Sequence, residues 1–458
     1  DGIRIAVPDS LNLITPYVLV EQEDWFEDEI RFVRAVLQAG DVAIDIGANY
    51  GVYTLSMARV VGPTGAVYAF EPASKTAGFL RDSIAANGYT QVVLDQKALS
   101  SQPGSLPLTL HENSELNSLT SAGAVGGADV EWVEVSTLDA CMARLEWSKV
   151  DFLKIDAEGE ELRILQGAAT FLATYSPLIE FEIRAGATFN LDMVSELEGR
   201  GFRFFRLVPS LNVLVPFDRT VAPDPFLLNV FAAKEDCVDR LRSAHRVVDE
   251  ILPATETAAT FAARWAQPSH RWTATLGSLP YGQALLPEWS RAMGPKEGDE
   301  LDLALTLYGM NLDVNLPMNV RVHALRYSLE LFDRLCLSDA SRLREASYAR
   351  AALDYGERSR GVARLVSCLN RMQQAKEVDL SEPFLAPTAR FDQVLPQGQL
   401  SNWAASALLE AVELSGAYSS FYTAGENRQR LEFLVQLGFA DARIERRLQL
   451  VRARFPAT

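Results

Sequence analysis

The sequence predicts an α/β domain built on a mostly parallel sheet, followed by an all-α domain. Residues 1–235 alternate short β-rich runs with amphipathic helical patterns, which is typical of βαβ units. From about Glu235 the β-rich runs stop and helical spacing continues to the end of the chain. We therefore predict an α/β ligand-binding domain at 1–235, linking helices and loops at 236–300, and a helical domain at 301–458.

The composition is that of a globular protein with more than one domain. Hydrophobic residues make up 48% of the 458 residues and charged residues 22%, which excludes a disordered chain. A net charge of −17 argues against nucleic-acid binding, which depends on Lys and Arg neutralising phosphates. No apolar run reaches the roughly 18–20 residues of a membrane span. Four widely spaced cysteines without a CxxC pair indicate reduced thiols and a cytoplasmic location.

Seven short β-rich runs predict the strands of the sheet, with helices on both of its faces. A leading amphipathic helix is expected at 24–37, and further helices begin near Tyr53, Ser74 and Glu158. The polar, Gly-containing stretch 102–135 predicts an insertion of hairpins and loop. The seven predicted strands are 42–46, 67–70, 91–94, 150–155, 178–183, 202–207 and 227–232.

Helical spacing in the second half predicts antiparallel helix pairs. Apolar residues recur three and four positions apart at Val322, Leu325 and Leu329, and again at Val362 and Leu365. No fixed-period repeat is present, so degenerate helical repeats stay a hypothesis. The sequence leaves open whether this domain recognises a long acceptor, binds a partner protein or forms a homo-oligomer.

The most informative stretch is Asp45-Ile46-Gly47-Ala48-Asn49-Tyr50-Gly51, where a buried strand turns into a helix. Glycines at such a turn let the backbone approach a ligand closely. Glu71 stands at the end of the next strand, where a carboxylate can accept both hydroxyls of a ribose. The pair predicts a site for a nucleoside cofactor.

The residues around this turn distinguish between two nucleoside cofactors, NAD and S-adenosylmethionine. NAD sites use G-x-G-x-x-G to present bare amides to a pyrophosphate, and this loop lacks that spacing. The carboxylate of Asp45 would repel a pyrophosphate, whereas it suits a cationic amino acid tail and a sulfonium. The residues therefore favour S-adenosylmethionine over NAD.

Several further motifs carry a resemblance to a known family. They are IDIGANYGVYTL at 44–55, FEP at 70–72, VSTLD at 135–139, VDFLKIDAEGEE at 150–161 and LQGA at 165–168. In this order and spacing, over about residues 25–235, the chain resembles FkbM-type S-adenosylmethionine-dependent methyltransferases. The resemblance implies the class I methyltransferase (Rossmann-like) fold, with a seven-stranded sheet ending in an antiparallel strand. It also implies S-adenosylmethionine as methyl donor and a hydroxyl acceptor on a sugar, glycan or secondary metabolite.

The resemblance also implies the cofactor contacts. Glycine-turn residues should line the methionine moiety, the start of the following helix should lie beside it, and residues after the second and third strands should hold ribose and adenine. The glycine-turn residues are Asp45, Gly47, Ala48, Asn49 and Gly51, and the helix-start residues are Tyr53 and Thr54, of which Thr54 should bond the cofactor carboxylate. Glu71 and Pro72 follow the second strand, and Gln96 and Ala98 follow the third. Asp156 should lie near the cofactor at the carboxyl edge of the sheet.

Methyl transfer to a hydroxyl requires an aligned acceptor and a general base for its proton. Asp156, at a strand end beside the cofactor, is the best-placed candidate, with cofactor binding alone as its alternative. Glu158 is a second candidate, although it can equally charge the start of its helix. Glu182 is a third, because two carboxylates at Glu180 and Glu182 are costly inside a sheet unless paired or facing a cleft.

The insertion supplies the remaining candidates. His111 is a possible base, with a surface loop as the alternative, and Asn117 and Ser118 either touch a ligand or form a turn. We predict no metal: no His/Cys cluster supports a transition metal, and Mg²⁺ among the carboxylates at 156, 158 and 182 is the alternative left open. The competing functions are a scaffold or oligomerisation protein carrying a ligand-binding domain and, less favoured, an NAD-linked enzyme.

Overall fold

The computed structural model describes residues 2–119, 129–185, 188–189, 191–250, 252–253, 255–293, 300–338, 342–375 and 380–456. The chain divides into two compact units. Unit 1 consists of Asp1–Leu207, Asn212–Pro223 and Leu227–Val247, and unit 2 of Val208–Leu211, Asp224–Phe226 and Val248–Thr458.

Fourteen strands lie in the described part of the chain, all but the last residue of one of them in unit 1. Eight form the main sheet, four form a second sheet, and two form a small hairpin. In chain order they are β1 (Val42–Ile46), β2 (Ala66–Phe70), β3 (Val92–Asp95), β4 (Ala98–Leu99), β5 (Gly104–Thr109), β6 (Ser118–Leu119), β7 (Val130–Ser136), β8 (Phe152–Ile155), β9 (Leu178–Glu182), β10 (Arg184–Ala185), β11 (Thr188–Phe189), β12 (Arg203–Val208), β13 (Val213–Pro216) and β14 (Asn229–Ala233).

The main sheet has the strand order β13-β12-β14-β9-β8-β1-β2-β3. Strands β3, β2, β1, β8 and β9 are mutually parallel, and β14 inserts antiparallel between β9 and β12. The predicted class I methyltransferase fold is confirmed, and each of the seven predicted strands is present in this sheet. The strand count was one too low, because β13 adds an edge strand outside β12. A parallel order centred on β1 gathers the carboxyl ends of β1, β2 and β8 at one edge, where ligands bind in such folds.

Nine α-helices accompany the strands in the described part of unit 1. They are α1 (Ile14–Gln22), α2 (Glu29–Val36), α3 (Val52–Val61), α4 (Ser74–Asn87), α5 (Leu138–Leu145), α6 (Glu161–Gln166), α7 (Ala169–Thr174), α8 (Asp192–Glu198) and α9 (Glu235–Ser243).

Two predicted helix starts were wrong. The leading helix α2 begins at Glu29 rather than Asp24, because the Asp24 carboxylate accepts the Trp25 N–H and pairs with Arg34 instead of continuing a helix. Helix α6 begins at Glu161 rather than Glu158, since Glu158 (φ 46°) and Gly159 (φ 98°) have left-handed backbone.

Apolar side chains cover both faces of the main sheet. One core packs Ile44, Leu153 and Ile179 of the strands against α5–α8, and the other packs Ala43, Phe152 and further residues against α2, α3 and α9. Neighbouring residues on a strand therefore face opposite layers, as the two-residue period requires. Position 45 falls on the same face as position 43, which is the face covered by α3.

The second sheet has the order β4-β7-β5-β6, and its strands β5, β6 and most of β7 belong to the predicted insertion at 102–135. Residues 120–128 of the insertion lie outside the described residues. An apolar cluster that includes Leu108, Val133 and Val135 holds this sheet together. The insertion is therefore a folded element with its own core.

The described part of unit 2 is built mainly of helices. Consecutive helices from α13 onward pack against each other, and the predicted apolar faces are buried, as at Val322, Leu325 and Leu329. Its helices are α10 (Ala258–Trp265), α11 (Trp272–Thr275), α12 (Pro280–Met293), α13 (Glu300–Leu312), α14 (Met318–Ser338), α15 (Arg342–Tyr355), α16 (Arg358–Ala375), α17 (Leu400–Ser415), α18 (Arg428–Gln436) and α19 (Ala442–Arg454).

Aromatic packing and buried ion pairs hold unit 2 together. Tyr281 stacks on Trp403 with ring centroids 4.7 Å apart, and its hydroxyl donates to the Phe384 carbonyl. Arg447 pairs with Glu413, and both side chains are almost fully buried. All four cysteines of the chain are buried and form no disulfide. Among the described residues, no helix has both the length and the apolar character that a membrane crossing requires.

We expect Gly51→Ala to destabilise unit 1. Gly51 has φ 90°, and an added Cβ would lie 2.3 Å from Leu80 Cδ1 of α4. Left-handed backbone and overpacking should together lower the free energy of unfolding by about 2–4 kcal/mol. Gly88→Ala is the matched control, because its φ is also positive (65°) but nothing lies within 4 Å of the new Cβ. Urea unfolding should show a loss of only about 1 kcal/mol there; equal losses would contradict the packing argument.

Candidate active site

A cavity opens at the carboxyl ends of β1, β2 and β8. Its empty volume, including the open mouth, is about 1010 Å³, which is comparable with the ligand pockets of other proteins. The loops after these strands, the N-terminal segment and the insertion all contribute to its wall. The polar and charged wall residues are Thr15, Glu27, Asp45, Asn49, Tyr50, Tyr53, Glu71, Lys97, Ser114, Glu115, Asn117, Lys154, Asp156, Glu158 and Glu160.

The turn after β1 lies directly against the loop after β8. An ideal Cβ on Gly47 would lie 1.7 Å from the carbonyl oxygen of Asp156, so only glycine permits this approach. The N–H groups of Gly47 and Ala48 both donate to the Phe70 carbonyl at 3.0 Å, which fixes the turn to the end of β2. Asn49 then takes a left-handed conformation with φ 49°. The glycine therefore brings two candidate site loops onto one cavity.

Glu71 is anchored by the same turn. Its two carboxylate oxygens accept the N–H groups of Asn49 and Ala73, both at 2.9 Å, and its side chain lines the cavity. Burial raises the pKa of Glu71 to about 7, although these two N–H groups oppose the shift. Each oxygen keeps further acceptor capacity, so Glu71 can accept hydroxyl groups from a ligand in the cavity.

Asp45 is the most deeply buried carboxylate in the cavity wall, with 1% of its surface exposed. Its Oδ2 accepts the Thr54 hydroxyl at 2.5 Å, while its Oδ1 is buried and finds no hydrogen-bond partner among the described residues. Burial raises the pKa of Asp45, and the nearby charge of Lys154 opposes the shift. A buried carboxylate oxygen without a donor favours a cationic or hydrogen-bonding ligand at this point.

Lys154 on β8 is the cation beside this carboxylate. Its Nζ donates to Asp156 Oδ2 at 2.5 Å and lies 4.7 Å from the centre of the Tyr53 ring. Burial by itself would lower the pKa of Lys154, but the negative charges around it, led by Asp156, raise it above the ordinary value. Lys154 therefore stays protonated.

Tyr53 joins two more carboxylates to this group. Its hydroxyl lies 2.7 Å from Glu27 Oε2 and 2.9 Å from Glu180 Oε1. A phenol has one proton to donate, so the second contact requires a proton on one of the carboxyl groups. Burial raises the pKa of Glu180 to about 8 and also raises the pKa of Glu27, which supplies that proton near neutral pH.

Asp156, Glu158 and Glu182 bring one carboxylate oxygen each within 4.8 Å of one another. Desolvation and the charge of Asp156 raise the pKa of Glu158 to about 8 and that of Glu182 to about 9. Glu161 rather than Glu158 serves the start of α6, because its carboxylate accepts the N–H groups of Ala157 and Gly159. Glu158 is therefore available at the cavity, and its predicted alternative role at the helix start was wrong.

The insertion and the N-terminal segment close one side of the cavity. Ser114 donates to Asn49 Oδ1 at 2.8 Å, which ties the insertion to the turn after β1. The neighbouring Glu115 carboxylate accepts both the N–H and the hydroxyl of Thr15 in α1. Asn117, which also lines the cavity, accepts the His111 N–H at 2.8 Å.

The structure brings most of the predicted residues to this cavity. Besides Glu182, five predicted residues lie outside its wall: Gly51 packs toward Leu80, Thr54 is fully buried and bonds Asp45, Gln96 and His111 are exposed, and Ser118 pairs with Thr109 of β5. Glu182 also lies outside the wall, but one of its carboxylate oxygens is within 4.8 Å of those of the wall residues Asp156 and Glu158. The wall includes these predicted residues: Asp45, Gly47, Ala48, Asn49, Tyr53, Glu71, Pro72, Ala98, Asn117, Asp156 and Glu158.

Sequence reasoning missed four charged residues of the cavity wall: Lys154, Glu27, Glu115 and Glu160. Lys154 belongs to the motif VDFLKIDAEGEE, and a lysine inside an otherwise apolar strand is the signal that could have identified it. Glu27 comes from a segment predicted to be helix, and Glu115 from the predicted insertion. No short-range pattern places Glu27 beside Tyr53, because 26 residues separate them.

The residues present fit S-adenosylmethionine. The unpartnered Oδ1 of Asp45 suits the ammonium of the amino acid tail, and Glu71 has acceptor capacity for ribose hydroxyls. The cationic side chains in the cavity wall, Lys97 and Lys154, are paired with Glu134 and Asp156, which leaves little to attract a pyrophosphate.

Part of the chain is similar to known methyltransferases. Residues 45–204 match the family model of the methyltransferase FkbM domain. The chain is 31% identical over 162 residues to methyltransferase sdnD of Sordaria araneosa, covering 29% of this chain and 62% of that protein. It is 30% identical over 159 residues to 31-O-demethyl-FK506 methyltransferase FkbM of Streptomyces tacrolimicus, covering 29% of this chain and 60% of that protein. The chain thus spans about three fifths of the length of these relatives.

Solved structures overlap with the chain only loosely. Methyltransferase FkbM from Methylobacillus flagellatus has a TM-score of 0.31 at 14% identity, covering 43% of this chain and 44% of that one. A SAM-dependent methyltransferase from Aquifex aeolicus has a TM-score of 0.26 at 16% identity, covering 47% and 92%. The family match agrees with the predicted resemblance for residues 45–204.

We expect the stability of the protein to fall as pH rises from about 5 to 9, with Glu180 as one cause. Its pKa is about 8 in the folded state against 4.5 for the free side chain, so folding holds its proton more tightly. That stabilisation is complete below pH 4.5 and is lost as pH rises through 8.

Glu180→Gln should reduce this pH dependence. The amide oxygen can still accept the Tyr53 hydroxyl, and the amide group replaces an oxygen that has no partner. At pH 9 the variant should be more stable than the wild type by about 1–2 kcal/mol in urea unfolding. An unchanged slope between pH 5 and 9 would show that Glu180 is not protonated in the fold.

Proposed function

We propose that this chain, whose residues 45–204 form a methyltransferase FkbM domain, transfers a methyl group from S-adenosylmethionine to a hydroxyl oxygen. The acceptor class we propose is a sugar, a glycan or a secondary metabolite. The observation that carries the proposal is the pair Asp45 and Glu71 on one cavity, the first with an unpartnered buried oxygen and the second with free acceptor capacity. A relative named for 31-O-demethyl-FK506 supports an oxygen acceptor.

Different residues of the chain would bind the cofactor and remove the acceptor proton. S-adenosylmethionine, when bound, supplies a methyl group already activated by its sulfonium. Asp45 would hold the amino acid tail, and Glu71 the ribose. Asp156 would take the proton of the acceptor hydroxyl, because its carboxylate is a third exposed at the cavity and Lys154 holds only its Oδ2. Positioning and proton removal are the contributions such a transfer requires.

Cofactor binding provides the first test. Asp45→Asn and Glu71→Gln should each weaken S-adenosylmethionine binding by about 10–100-fold, because each removes a charged acceptor worth roughly 1.5–3 kcal/mol. Gln96→Ala is the control: it removes a polar side chain after β3 that is exposed and outside the cavity wall, so its Kd should match the wild type. Calorimetry measures all three, with NAD as a ligand that should not bind. Undiminished affinity in the two acidic variants would place the cofactor elsewhere.

Methyl transfer provides the second test. Wild-type protein and isotope-labelled S-adenosylmethionine are incubated with a panel of sugars, oligosaccharides and hydroxylated metabolites, and labelled products are found by mass spectrometry. On an active acceptor, Asp156→Asn should lower kcat by about 10²–10⁴-fold, since it removes the general base.

His111→Ala is the matched control, because His111 is exposed and lies outside the cavity wall. Its kcat should stay within about twofold of the wild type. A large loss in His111→Ala with full activity in Asp156→Asn would reverse the assignment of the base.

A further inference from the structure

Three charged residues form a row across the centre of the main sheet. Asp45 on β1 lies opposite Lys154 on β8, and Lys154 lies opposite Glu180 on β9. Their exposed fractions are 1%, 5% and 0%. Central strands of a parallel sheet are normally apolar, so this register requires an explanation.

Stability alone does not explain the row. Burying an ammonium group costs several kcal/mol, and replacing buried ion pairs by well-packed apolar residues is often neutral or stabilising. Lys154 is also surrounded by more carboxylates than it can neutralise: Asp45, Asp156, Glu27 and Glu180 all act on it electrostatically. Two members of the row, Asp45 and Lys154, line the cavity, so a role in the cavity is the better explanation.

We propose that Lys154 is a positioning residue of the methyl-transfer site, whose single buried cation keeps Asp45 ionised for the cofactor ammonium and orients the Asp156 carboxylate. The inference rests on the proposed function and deepens it. It assigns to Lys154 a role on both the cofactor side and the acceptor side of one cavity.

The contact with Asp156 fixes the orientation of its carboxylate. Lys154 Nζ donates to Oδ2, and no hydrogen bond to Oδ1 is found among the described residues. The side chain of Asp156 is 33% exposed, whereas that of Lys154 is 6% exposed. Lys154 thus holds one oxygen from inside the sheet and leaves the other for the acceptor.

The charge of Lys154 also determines the state of Asp45. Burial raises the pKa of Asp45, and Lys154 is the main opposing influence, ahead of the hydroxyl of Thr54 from α3. Of the other titratable groups, Asp156 after β8 raises the pKa of Asp45, and Glu71 after β2 interacts with it. Lys154 is the one cation among these neighbours, so removing it should raise the pKa of Asp45 further.

A purely structural role makes a different prediction. If Lys154 only stabilised the fold, its removal would lower the free energy of unfolding but leave the pH dependence of cofactor binding unchanged. If it keeps Asp45 ionised, its removal would weaken binding most at low pH, where Asp45 holds a proton.

The test compares full-length Lys154→Met with the wild type, using S-adenosylmethionine as the probe. Calorimetry gives the Kd of each protein between pH 6 and 8.5, and the ratio of the two values cancels the titration of the ligand's own amino group. We expect the ratio to be largest at pH 6 and to fall as pH rises, by at most about tenfold per pH unit while Asp45 of the variant ionises. A ratio that does not change with pH would overturn the proposal.

Two further variants control the comparison. Lys154→Arg keeps the cation and should bring the ratio back toward 1. Glu180→Gln changes the other end of the row and removes a carboxylate instead of the cation, so its ratio should not fall with pH. If it falls as steeply as in Lys154→Met, general disturbance of the row is responsible and the proposal is overturned.

A double variant provides the test if Lys154→Met alone does not fold. Lys154→Met combined with Glu180→Gln removes the cation together with one of the buried carboxyl groups around it, and it should show the same pH-dependent ratio as Lys154→Met alone; a flat ratio overturns the proposal. Wild-type protein that bound no S-adenosylmethionine would overturn the proposed function and this inference with it. Normal wild-type binding with flat ratios would overturn this inference alone.

Discussion

The candidate site depends on one interaction, the pairing of a buried ammonium with an excess of buried carboxylates. Lys154 lies among Asp45, Asp156, Glu27 and Glu180, and the low-dielectric interior makes each unbalanced charge costly. The protein relieves part of that cost with protons, as the raised pKa values of Glu27 and Glu180 show. A cationic ligand would relieve it as well. Charge balance therefore connects the stability of the sheet with the chemistry of the cavity.

Sequence alone was sufficient for the parts of this arrangement that follow from local rules. Alternation of strands and helices predicts the parallel sheet, and the carboxyl ends of parallel strands share an edge. Asp45 and Glu71 lie at the carboxyl ends of neighbouring strands, so their meeting on one cavity was predictable. Gly47 was also identified, but for a different reason: it was expected to admit the ligand, and it admits the backbone of Asp156.

Other parts depend on long-range packing that no local pattern contains. The role of Glu27 requires the N-terminal segment to fold onto Tyr53, and the contact of Ser114 with Asn49 requires the insertion to fold over the turn. Periodicity predicted a helix from Glu158 because the apolar spacing continues, but left-handed backbone at Glu158 and Gly159 overrides it. That local override is what frees Glu158 for the cavity.

The same charges discriminate between the cofactors considered from the sequence. A pyrophosphate carries negative charge and requires donors, yet the cavity wall offers two lysines that are already paired and several carboxylates that are not. At Asp45 the unpartnered oxygen would face that charge at close range, where repulsion in a dry site is strongest. A sulfonium with an ammonium tail reverses the sign of each of these interactions. The preference for S-adenosylmethionine thus follows from the unbalanced negative charge of the wall, and the glycine turn alone would not have produced it.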